Sequence, residues 1–274
     1  MRESALNRIV SHAALIAASA IMLFPFIWML LSAFKSPTEI ATVPPQLLPA
    51  ELRFGNFAFA LETGRFDQYF LNTFIVAASV VLLSLLTSVL AAYALAFFDF
   101  AGKTALLALA VAFMMVPFEV LVVVNYDTVV QWGLVDTLVA QILPFTTSIL
   151  STLILTNAFR KVPATLRVAS RIDGASSWAF LWRVVVPMNR PSLVTVSVLS
   201  AIASWNAFLW PLLVTNTTEK RTLTIGLYNF ITEGGVRYER LMAASAVVIV
   251  PMVIVFLLLR RQIINGVSTQ GMKQ

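Results

Sequence analysis

The sequence predicts an all-α, polytopic membrane protein with six transmembrane helices. Hydrophobic residues make up 59% of the 274-residue chain, and charged residues make up only 12%. The mean hydropathy of +0.87 lies outside the range of soluble domains and is typical of multi-pass membrane proteins. Apolar runs alternate with polar intervals, and each run has about the 20 residues that a helix needs to cross the hydrocarbon core.

Six apolar runs meet this length requirement. They are His12–Phe34, Tyr69–Phe98, Thr104–Val124, Thr137–Phe159, Ser192–Val214 and Leu241–Leu259. The first run is too long for a signal peptide and lacks a cleavage site of small residues, so we expect an uncleaved helix. The Pro-rich interval Lys35–Asp67 is expected to be an extended external loop, because proline favours extended backbone. Asn125–Asp136 is expected to be a second outer loop.

The charges predict the orientation of these helices. If both termini are cytoplasmic, the inner intervals contain twelve bases and three acids, a net +9. The remaining seven bases and ten acids leave −3 outside. This asymmetry is what the positive-inside rule requires, and it predicts a multi-pass membrane protein with both termini inside.

Several classes of function are excluded by what the chain lacks. It has no Cys and one His, so it has neither a disulfide framework nor thiol chemistry, and no nucleophile–base set that would make it an enzyme. Gly102–Thr104 reads GKT, like the end of a phosphate-binding loop, but Phe97 stands where that loop needs glycine. The basic pI of about 10 is explained by topology and contact with lipids rather than by nucleic acid.

Polar side chains within or beside the predicted spans are candidates for a translocation path. They are Asn72, Glu119, Asn157, Ser200 and Asn206. Amide and hydroxyl groups bind sugar hydroxyls, but they also hydrogen-bond one helix to another, and the sequence leaves both roles open. Glu119 either packs at the outer interface or lines the path, and the spans offer no second ionisable group for a proton relay.

The basic interval 160–190 is predicted to contain two amphipathic helices joined at Gly174. Val162, Leu166, Ala169 and Ile172 form one apolar stripe at helical spacing. Trp178, Leu181, Trp182 and Val185 form a second stripe, which Pro187 closes. Helices of this kind lie on a membrane surface or dock into a groove on a partner.

This interval contains ASRIDGAS at Ala169–Ser176, followed by WRVVVP at Trp182–Pro187. These two segments resemble the "EAA" loop of permeases from bacterial binding-protein-dependent ABC importers. The resemblance extends over nearly the whole chain, through FKSPTEI, SWNAFLWP, RTLTIGL and LMAAS at Phe34–Ile40, Ser204–Pro211, Arg221–Leu227 and Leu241–Ser245. These segments are similar to the carbohydrate-uptake branch, of the maltose and glycerol-phosphate type.

The chain departs from the family pattern at three positions. Val168 stands in place of the Glu of the EAA triplet, and Ser170 in place of its second Ala. Ala207 stands where the later signature often has an acid. An ion pair from that Glu to an ATPase subunit therefore cannot form here.

The resemblance implies a transmembrane subunit of an ATP-driven type I ABC importer for a sugar or related polyol. It also implies the partners: a second homologous permease, an ATPase homodimer or pair, and an extracytoplasmic solute-binding protein. ATP and Mg would bind to the ATPase, and this chain would hold no cofactor. The residues implied in coupling to the ATPase are Leu166, Arg167, Ala169, Ser170, Arg171, Asp173, Gly174 and Ala175. The alternative is a secondary transporter or channel for a small polar solute that works alone.

We expect three segments along the chain. Residues 1–68 hold the first transmembrane helix and an external loop, residues 69–260 hold the importer core with its coupling loop, and residues 261–274 form a cytoplasmic tail. No Lys or Arg falls in the middle of a predicted span, which favours a neutral sugar over a phosphate ester as the solute.

Overall fold

The computed structural model describes residues 5–228, 230–232, 235–250, 253–254 and 257, and most of these residues are helical. The chain forms two compact units. The first comprises Met1–Phe66 with Gly226–Ile254, and the second comprises Asp67–Ile225 with Val255–Gln274. The prediction of an all-α protein is confirmed except for one short hairpin.

The helices follow the apolar segments of the chain, with breaks between them. Up to the basic interval they are α1 (Ala5–Ala33), α2 (Pro37–Ala41), α3 (Gly55–Gly64), α4 (Phe66–Phe97), α5 (Lys103–Met114), α6 (Phe118–Gln131), α7 (Leu138–Ile142) and α8 (Ile149–Phe159). From there they are α9 (Ala164–Ile172), α10 (Ser177–Phe180), α11 (Val186–Met188), α12 (Arg190–Trp205), α13 (Leu209–Val214) and α14 (Leu223–Tyr228).

Shorter elements complete the chain. Leu143–Phe145 and Thr218–Lys220 are 3₁₀ helices, and Leu181–Val185 is a π-helical turn. Strands β1 (Ile231–Thr232) and β2 (Gly235–Val236) pair antiparallel. A further helix, α15, covers residues 238–250, and residues 253–254 and 257 are also helical.

In the first unit, a buried lysine organises the end of α1. Lys35 is only 1% exposed, and its Nζ donates to the carbonyl of Gln46 and lies 4.4 Å from the ring centroid of Trp28. The Asn56 amide donates to the Ala33 and Lys35 carbonyls at 2.8 and 2.9 Å. The buried charge is thus compensated by a hydrogen bond and a cation–π contact.

The Pro-rich interval is more ordered than the expected extended loop. Ser36 caps α2, because its hydroxyl accepts from Glu39 N while its own N–H donates to the Glu39 carboxylate. Pro37 fits the first turn of this helix, where it needs no N–H donor. An extended loop was expected because proline favours extended backbone, but a capping box with a proline in the first turn starts a helix.

In the second unit, α4 is a continuous helix of 32 residues, which contains neither Pro nor Gly. Among the described residues, two unbroken helices are long and apolar enough to cross a membrane, Val10–Ala33 and Phe66–Phe97, and three bent helix pairs also reach this length and hydropathy. The two unbroken helices coincide with the first two predicted spans. The main hydrophobic core packs residues of α4, α8 and α12 against the segment that follows α9.

The third predicted span, Thr104–Val124, is not one continuous helix. Helices α5 and α6 meet at 96°, because Pro117 has no N–H donor and disfavours helical backbone at the residue before it. A helix of the length of α5, 12 residues, rises about 18 Å, which is less than the ~30 Å hydrocarbon core. Helix α6 also covers much of Asn125–Asp136, which we expected to be a loop.

The fourth and fifth predicted spans are also broken. Pro144 lies in the 3₁₀ segment between α7 and α8, and the two halves of that span bend by 45°. In the fifth predicted span, α12 ends at Trp205 and α13 begins at Leu209. The backbone N–H of Asn206 closes the last turn of α12. The helical run Ser177–Met188 meets α12 at 80°. The end of the sixth predicted span and the tail 261–274 lie outside the described residues.

Candidate functional sites

Helix α9 is an exposed helix at the start of the basic interval, and its ends are fixed by local backbone chemistry. Pro163 occupies its N-cap. At the other end, Ala175 N donates to Ser170 O at 2.9 Å and Gly174 N donates to Arg171 O at 3.1 Å. This pair of hydrogen bonds is the Schellman motif, which places Gly174 in left-handed backbone at φ 75°. A side chain there would meet no atom within 4 Å, so the backbone conformation is what requires glycine.

The outer face of α9 is apolar. Ile172 is 81% exposed and Val168 is 57% exposed. All eight predicted coupling residues lie on α9 or its terminal turn: Leu166, Ala169, Arg171, Asp173 and Gly174 are exposed, and Arg167, Ser170 and Ala175 are half-buried. An exposed apolar face on a short helix indicates a docking surface.

Arg167 faces the chain's own aromatic residues. Its guanidinium carbon lies 5.6 and 5.8 Å from the ring centroids of Phe97 and Phe98, at the end of α4. These are cation–π distances. Arg167 therefore packs α9 against the end of α4. If Arg167 also contacts a partner, it does so while its guanidinium lies against these two rings.

The segments that flank α9 are held in the core. Val162 precedes the helix and is buried, and Phe180, Leu181 and Val185 follow it and are buried in the same cluster. The Tyr93 hydroxyl donates to Ser177 O at 2.9 Å. The predicted second stripe is therefore divided: Leu181 and Val185 are core residues, while Trp178 and Trp182 form an exposed pair of rings 5.6 Å apart.

A second candidate site is a cavity of about 320 Å³ in the second unit. Its polar lining residues include Ser84, Glu119, Gln141, Ser148, Ser200 and Ser204. Its aromatic lining residues are Phe118, Phe145, Phe208 and Trp210. The structure thus brings together two of the five predicted path residues, Glu119 and Ser200. Hydroxyl, amide and carboxylate groups beside aromatic rings are suited to a ligand that carries hydroxyl groups on an apolar frame.

Gln141 lines the cavity and was not predicted from the sequence. It is buried at 1% exposure, and its Nε2 donates to Lys220 O at 2.9 Å. The neighbouring Trp210 is also buried, and its Nε1 donates to Ala140 O at 2.9 Å. Gln141 is an amide side chain inside the apolar run Thr137–Phe159, and this feature, which identified Asn157 as a candidate, could have identified Gln141 as well.

The other three predicted path residues lie elsewhere. Asn72 donates to the carbonyls of Glu219 and Arg221 at 2.8 and 2.9 Å. Asn157 lines a separate cavity of about 430 Å³ with Lys161, at the end of α8 that leads into the basic interval. Asn206 is exposed beside the lining residue Ala207, and its Nδ2 donates back to Ile202 O at 2.9 Å.

The loop 215–222 is fixed by side chains from several elements. Besides Asn72 and Gln141, Gln68 donates to Glu219 O at 3.1 Å. The Asp136 carboxylate accepts from the backbone of Asn216 and Thr217 at 2.9 and 3.0 Å. Desolvation raises the pKa of Asp136, but the hydrogen bonds from Thr217 and Asn216 outweigh it and leave the pKa below its ordinary value.

Nothing in the described residues suggests a resident metal. No group of three or more His, Asp or Glu side chains there could hold an ion. The candidate sites are therefore a docking helix and a polar cavity, neither of which carries the groups of a catalytic centre.

Comparison with known proteins gives the family. Residues 84–269 match the family described as binding-protein-dependent transport system inner membrane component. The arabinooligosaccharides transport system permease protein AraQ of Halalkalibacterium halodurans is 33% identical over 256 residues, 92% of each chain. The diacetylchitobiose uptake system permease protein NgcG of Streptomyces coelicolor is 33% identical over 268 residues, 94% of this chain and 87% of that protein.

A solved structure has the same fold. It is a chain of a bacterial ABC transporter involved in the import of the acidic polysaccharide alginate, with a TM-score of 0.81 and 23% identity over 95% of this chain and 99% of that one. Sequence and fold agree, and they confirm the resemblance carried by the basic interval. The chain belongs to the family of inner membrane components of binding-protein-dependent transport systems, and it is a membrane-integral permease subunit of an ABC importer rather than an enzyme.

Proposed function

We propose that this permease moves a sugar or related polyol across the bacterial plasma membrane, within an assembly that contains a second homologous permease and two ATPase subunits. The binding protein on which its family depends would deliver the solute from outside. ATP and Mg would bind to the ATPase subunits, and membrane lipids would surround the chain.

The observation that carries this proposal is the exposed apolar face of α9. Ile172 and Val168 are open to solvent, although the residues that flank the helix are fixed in the core. A groove on an ATPase subunit would cover this face. Because Val162 and Leu181 connect α9 to α4, α8 and α12, movement of the docked helix would move the bundle, as in rigid-body switching between inward- and outward-open states.

The coupling residues take different parts in this scheme. Leu166, Ala169, Arg171 and Asp173 are exposed and would contact the ATPase. Ser170, Gly174 and Ala175 form the turn that ends α9, and Arg167 supports the helix on the rings of Phe97 and Phe98.

The translocation path would include the cavity that Glu119 and Ser200 line. Asn206 lies next to this lining, and Asn157 would line the inner part of the path through its own cavity. Asn72 would support the path indirectly, since its amide is bound to the outer loop.

The proposed topology has six membrane crossings with both termini in the cytoplasm. The bent pairs Lys103–Gln131 and Leu138–Phe159 each provide one broken crossing. Helices α12 and α13 together provide the fifth, and Ser177–Met188 belongs to the cytoplasmic loop 160–190. Broken helices are tolerated at membrane depth where they line a cavity or are buried in protein. Residues 1–68 would then form the first crossing with its outer segment, 69–260 the importer core, and 261–274 a cytoplasmic tail.

The relatives support carbohydrate as the solute class. Their names give arabinooligosaccharides and diacetylchitobiose as what they transport. The cavity of this chain agrees with a solute of that kind, because hydroxyl and amide groups lie beside aromatic rings.

The test is purification of the tagged chain in mild detergent, with co-purifying proteins identified by mass. We expect a stoichiometric ATPase and a second permease. The complex in proteoliposomes should import sugar only when ATP and the binding protein are both supplied. A chain that assembles alone and transports solute without ATP would overturn the proposal and establish a secondary transporter or channel instead.

A further inference from the structure

The cavity of about 430 Å³ that Asn157 lines lies between the end of α8 and the start of α12. Its lining residues are Ile154, Asn157, Ala158, Lys161, Met188, Asn189, Pro191 and Ser192. None of these eight residues is acidic, and the ammonium group of Lys161 is the one formal charge among them. A cleft with charge of one sign attracts a ligand of the opposite sign, so this lining favours an anion.

The cavity lies at the N-terminus of α12, a helix of 16 residues. Ser192 lies in the first turn of this helix, and Asn189 is its N-cap. The first N–H groups of a helix have no partner within it and carry partial positive charge, so they bind anions. The Asn189 side chain makes no capping hydrogen bond to these groups. The first turn of α12 therefore adds to the attraction of Lys161 for an anion.

Asn189 leaves an acceptor at the cavity without a donor. The residue is only 9% exposed, and its Nδ2 donates to Val185 O at 2.8 Å. Because Val185 O can only accept, the orientation of the amide is determined. No donor among the described residues reaches Asn189 Oδ1, and this oxygen is not enclosed by protein atoms, in contrast to Gln141 Oε1. A buried amide oxygen is normally hydrogen-bonded, so Asn189 offers an acceptor to a ligand that carries a hydroxyl group.

We propose that this cavity binds a phosphate ester that carries hydroxyl groups. The phosphate would bind to Lys161 and the first turn of α12, and a hydroxyl group would donate to Asn189 Oδ1. The inference goes beyond the proposed function, because this ligand is not the solute that the cavity beside Glu119 and Ser200 would pass.

Two sources could supply this chemistry at the cytoplasmic end of the helices, where the proposed topology places the cavity. One is the headgroup of phosphatidylglycerol in the inner leaflet, and the other is a soluble sugar phosphate. Phosphatidylcholine has a phosphate but no O–H or N–H donor, so it lacks the group that Asn189 would bind. Either ligand would connect the end of α8 to the start of α12, which are the two ends of the interval that carries α9.

The experiment uses the complete transporter with its nucleotide sites saturated by ADP and Mg. Isothermal titration calorimetry in phosphatidylcholine nanodiscs would measure binding of glucose 6-phosphate and of methyl phosphate, which lacks the hydroxyl groups. Native mass spectrometry after release from nanodiscs of mixed lipids would compare the retained phosphatidylglycerol with phosphatidylcholine. We expect one of two results, tighter binding of glucose 6-phosphate than of methyl phosphate by about tenfold, or enrichment of phosphatidylglycerol over phosphatidylcholine by about tenfold.

Two variants locate the site. Lys161→Gln removes the cation, and Ser192→Asp adds a negative charge in the first turn of α12, where an acid stabilises the helix but repels a phosphate. Each should weaken the bound ligand by about tenfold without lowering the thermal unfolding temperature. The matched control is Arg183→Gln. It removes a cation from the same basic interval at an exposed residue that does not line the cavity, and it should leave binding unchanged.

The variants also distinguish the two sources. Loss of glucose 6-phosphate binding in both Lys161→Gln and Ser192→Asp would assign the site to a soluble phosphate ester, and loss of lipid enrichment in both would assign it to the phospholipid headgroup. Binding of neither ligand, unchanged binding in either variant, or an equal loss in Arg183→Gln would overturn the site. ATP hydrolysis stimulated by the binding protein, measured on the same preparations, reports separately on the proposed function. Stimulated hydrolysis without binding of either ligand would reject the phosphate-ester site alone.

Discussion

Gly174 is needed for its backbone conformation rather than for its small size. The position is left-handed at φ 75°, and a Cβ there would meet open space. A non-glycine residue in this conformation costs roughly 1–2 kcal/mol, and Asn tolerates it better than Ala. We therefore expect Gly174→Asn to retain more ATP-driven uptake than Gly174→Ala, with faster hydrogen exchange over residues 170–176 in the alanine variant.

The reverse order would identify a different cause. Ala is smaller than Asn, so if the ATPase packs against this turn, Gly174→Ala would be the better tolerated variant. Equal uptake in both variants would show that the turn is not part of the coupling surface.

Glu39 makes the segment that follows α1 sensitive to acid. Hydrogen bonds from the Ser36 backbone, the Ala50 backbone and the Ser36 hydroxyl lower the pKa of Glu39 from 4.5 to about 2. A carboxyl group whose pKa is lower in the folded state stabilises the fold fully at pH values above its unfolded pKa. This stabilisation is lost as the pH falls from about 4.5 to about 2. Hydrogen exchange over residues 36–50, corrected for intrinsic rates, should therefore accelerate between pH 5 and pH 2.5.

The matched control is Glu39→Gln. Its side chain does not titrate, so the protection of the same residues should be lower at pH 5 and independent of pH over this range. A variant that kept the wild-type pH profile would assign the transition to another group.

At the scale of elements, α9 and the segment after it have separable roles. Leu181 is fully buried in the core, so Leu181→Ala should destabilise the fold by about 2–5 kcal/mol. Ile172 is exposed, so Ile172→Ala should change stability by less than about 0.5 kcal/mol while it lowers stimulated ATP hydrolysis. Thermal unfolding in detergent and ATPase assays of the complex measure the two effects, and a destabilised Ile172→Ala variant would contradict this division.

Asn72 fixes the loop 215–222 more strongly than Gln68 does. Asn72→Leu removes the donor of two hydrogen bonds and leaves Arg221 O without that donor, at a cost of about 1–3 kcal/mol. Gln68→Leu removes one bond to Glu219 O, which Asn72 still serves. Hydrogen exchange of the loop should accelerate clearly in Asn72→Leu and only slightly in Gln68→Leu. Similar rates in both would mean that other contacts hold the loop.

The elements show where sequence reasoning succeeds. The apolar segments Val10–Ala33 and Phe66–Phe97 were predicted to within three residues at each end, because a long apolar run has one stable form in a membrane, a helix. The broken helices were not predicted, because Pro25 is accommodated inside α1 while Pro117 separates two helices by 96°. The same residue type has both outcomes, and packing decides between them.

The two candidate sites also differ in how much of each could be predicted from the sequence. The exposed helix α9, which carries the proposed coupling residues, was predictable because its motif is contiguous along the chain. The cavity was only half predictable, because Gln141 and Glu119 come together from different helices, and hydropathy does not report which faces meet. Asn72 was selected by its polarity, but the structure uses that polarity to bind backbone carbonyls.

For the whole molecule, the proposed topology can be tested directly because the chain contains no cysteine. Asp173 and Glu51 are both exposed, and the proposal places them on opposite sides of the membrane. In intact spheroplasts a membrane-impermeant maleimide should label Glu51→Cys and should label Asp173→Cys only after permeabilisation. Labelling of Asp173→Cys in intact spheroplasts would invert the orientation and remove the docking role of α9.

The uninterrupted form of α4 has a mechanical consequence. Asn72, near its start, holds the loop 215–222, and Tyr93, near its end, holds Ser177 beside α9. The two residues are about 30 Å apart along the axis at 1.5 Å per residue. No hinge interrupts this distance, so α4 is a stiff strut between the two attachments. A push on the loop 215–222 would therefore reach the base of α9 with little loss in bending, whereas the bent helix pairs have breaks at which they could flex.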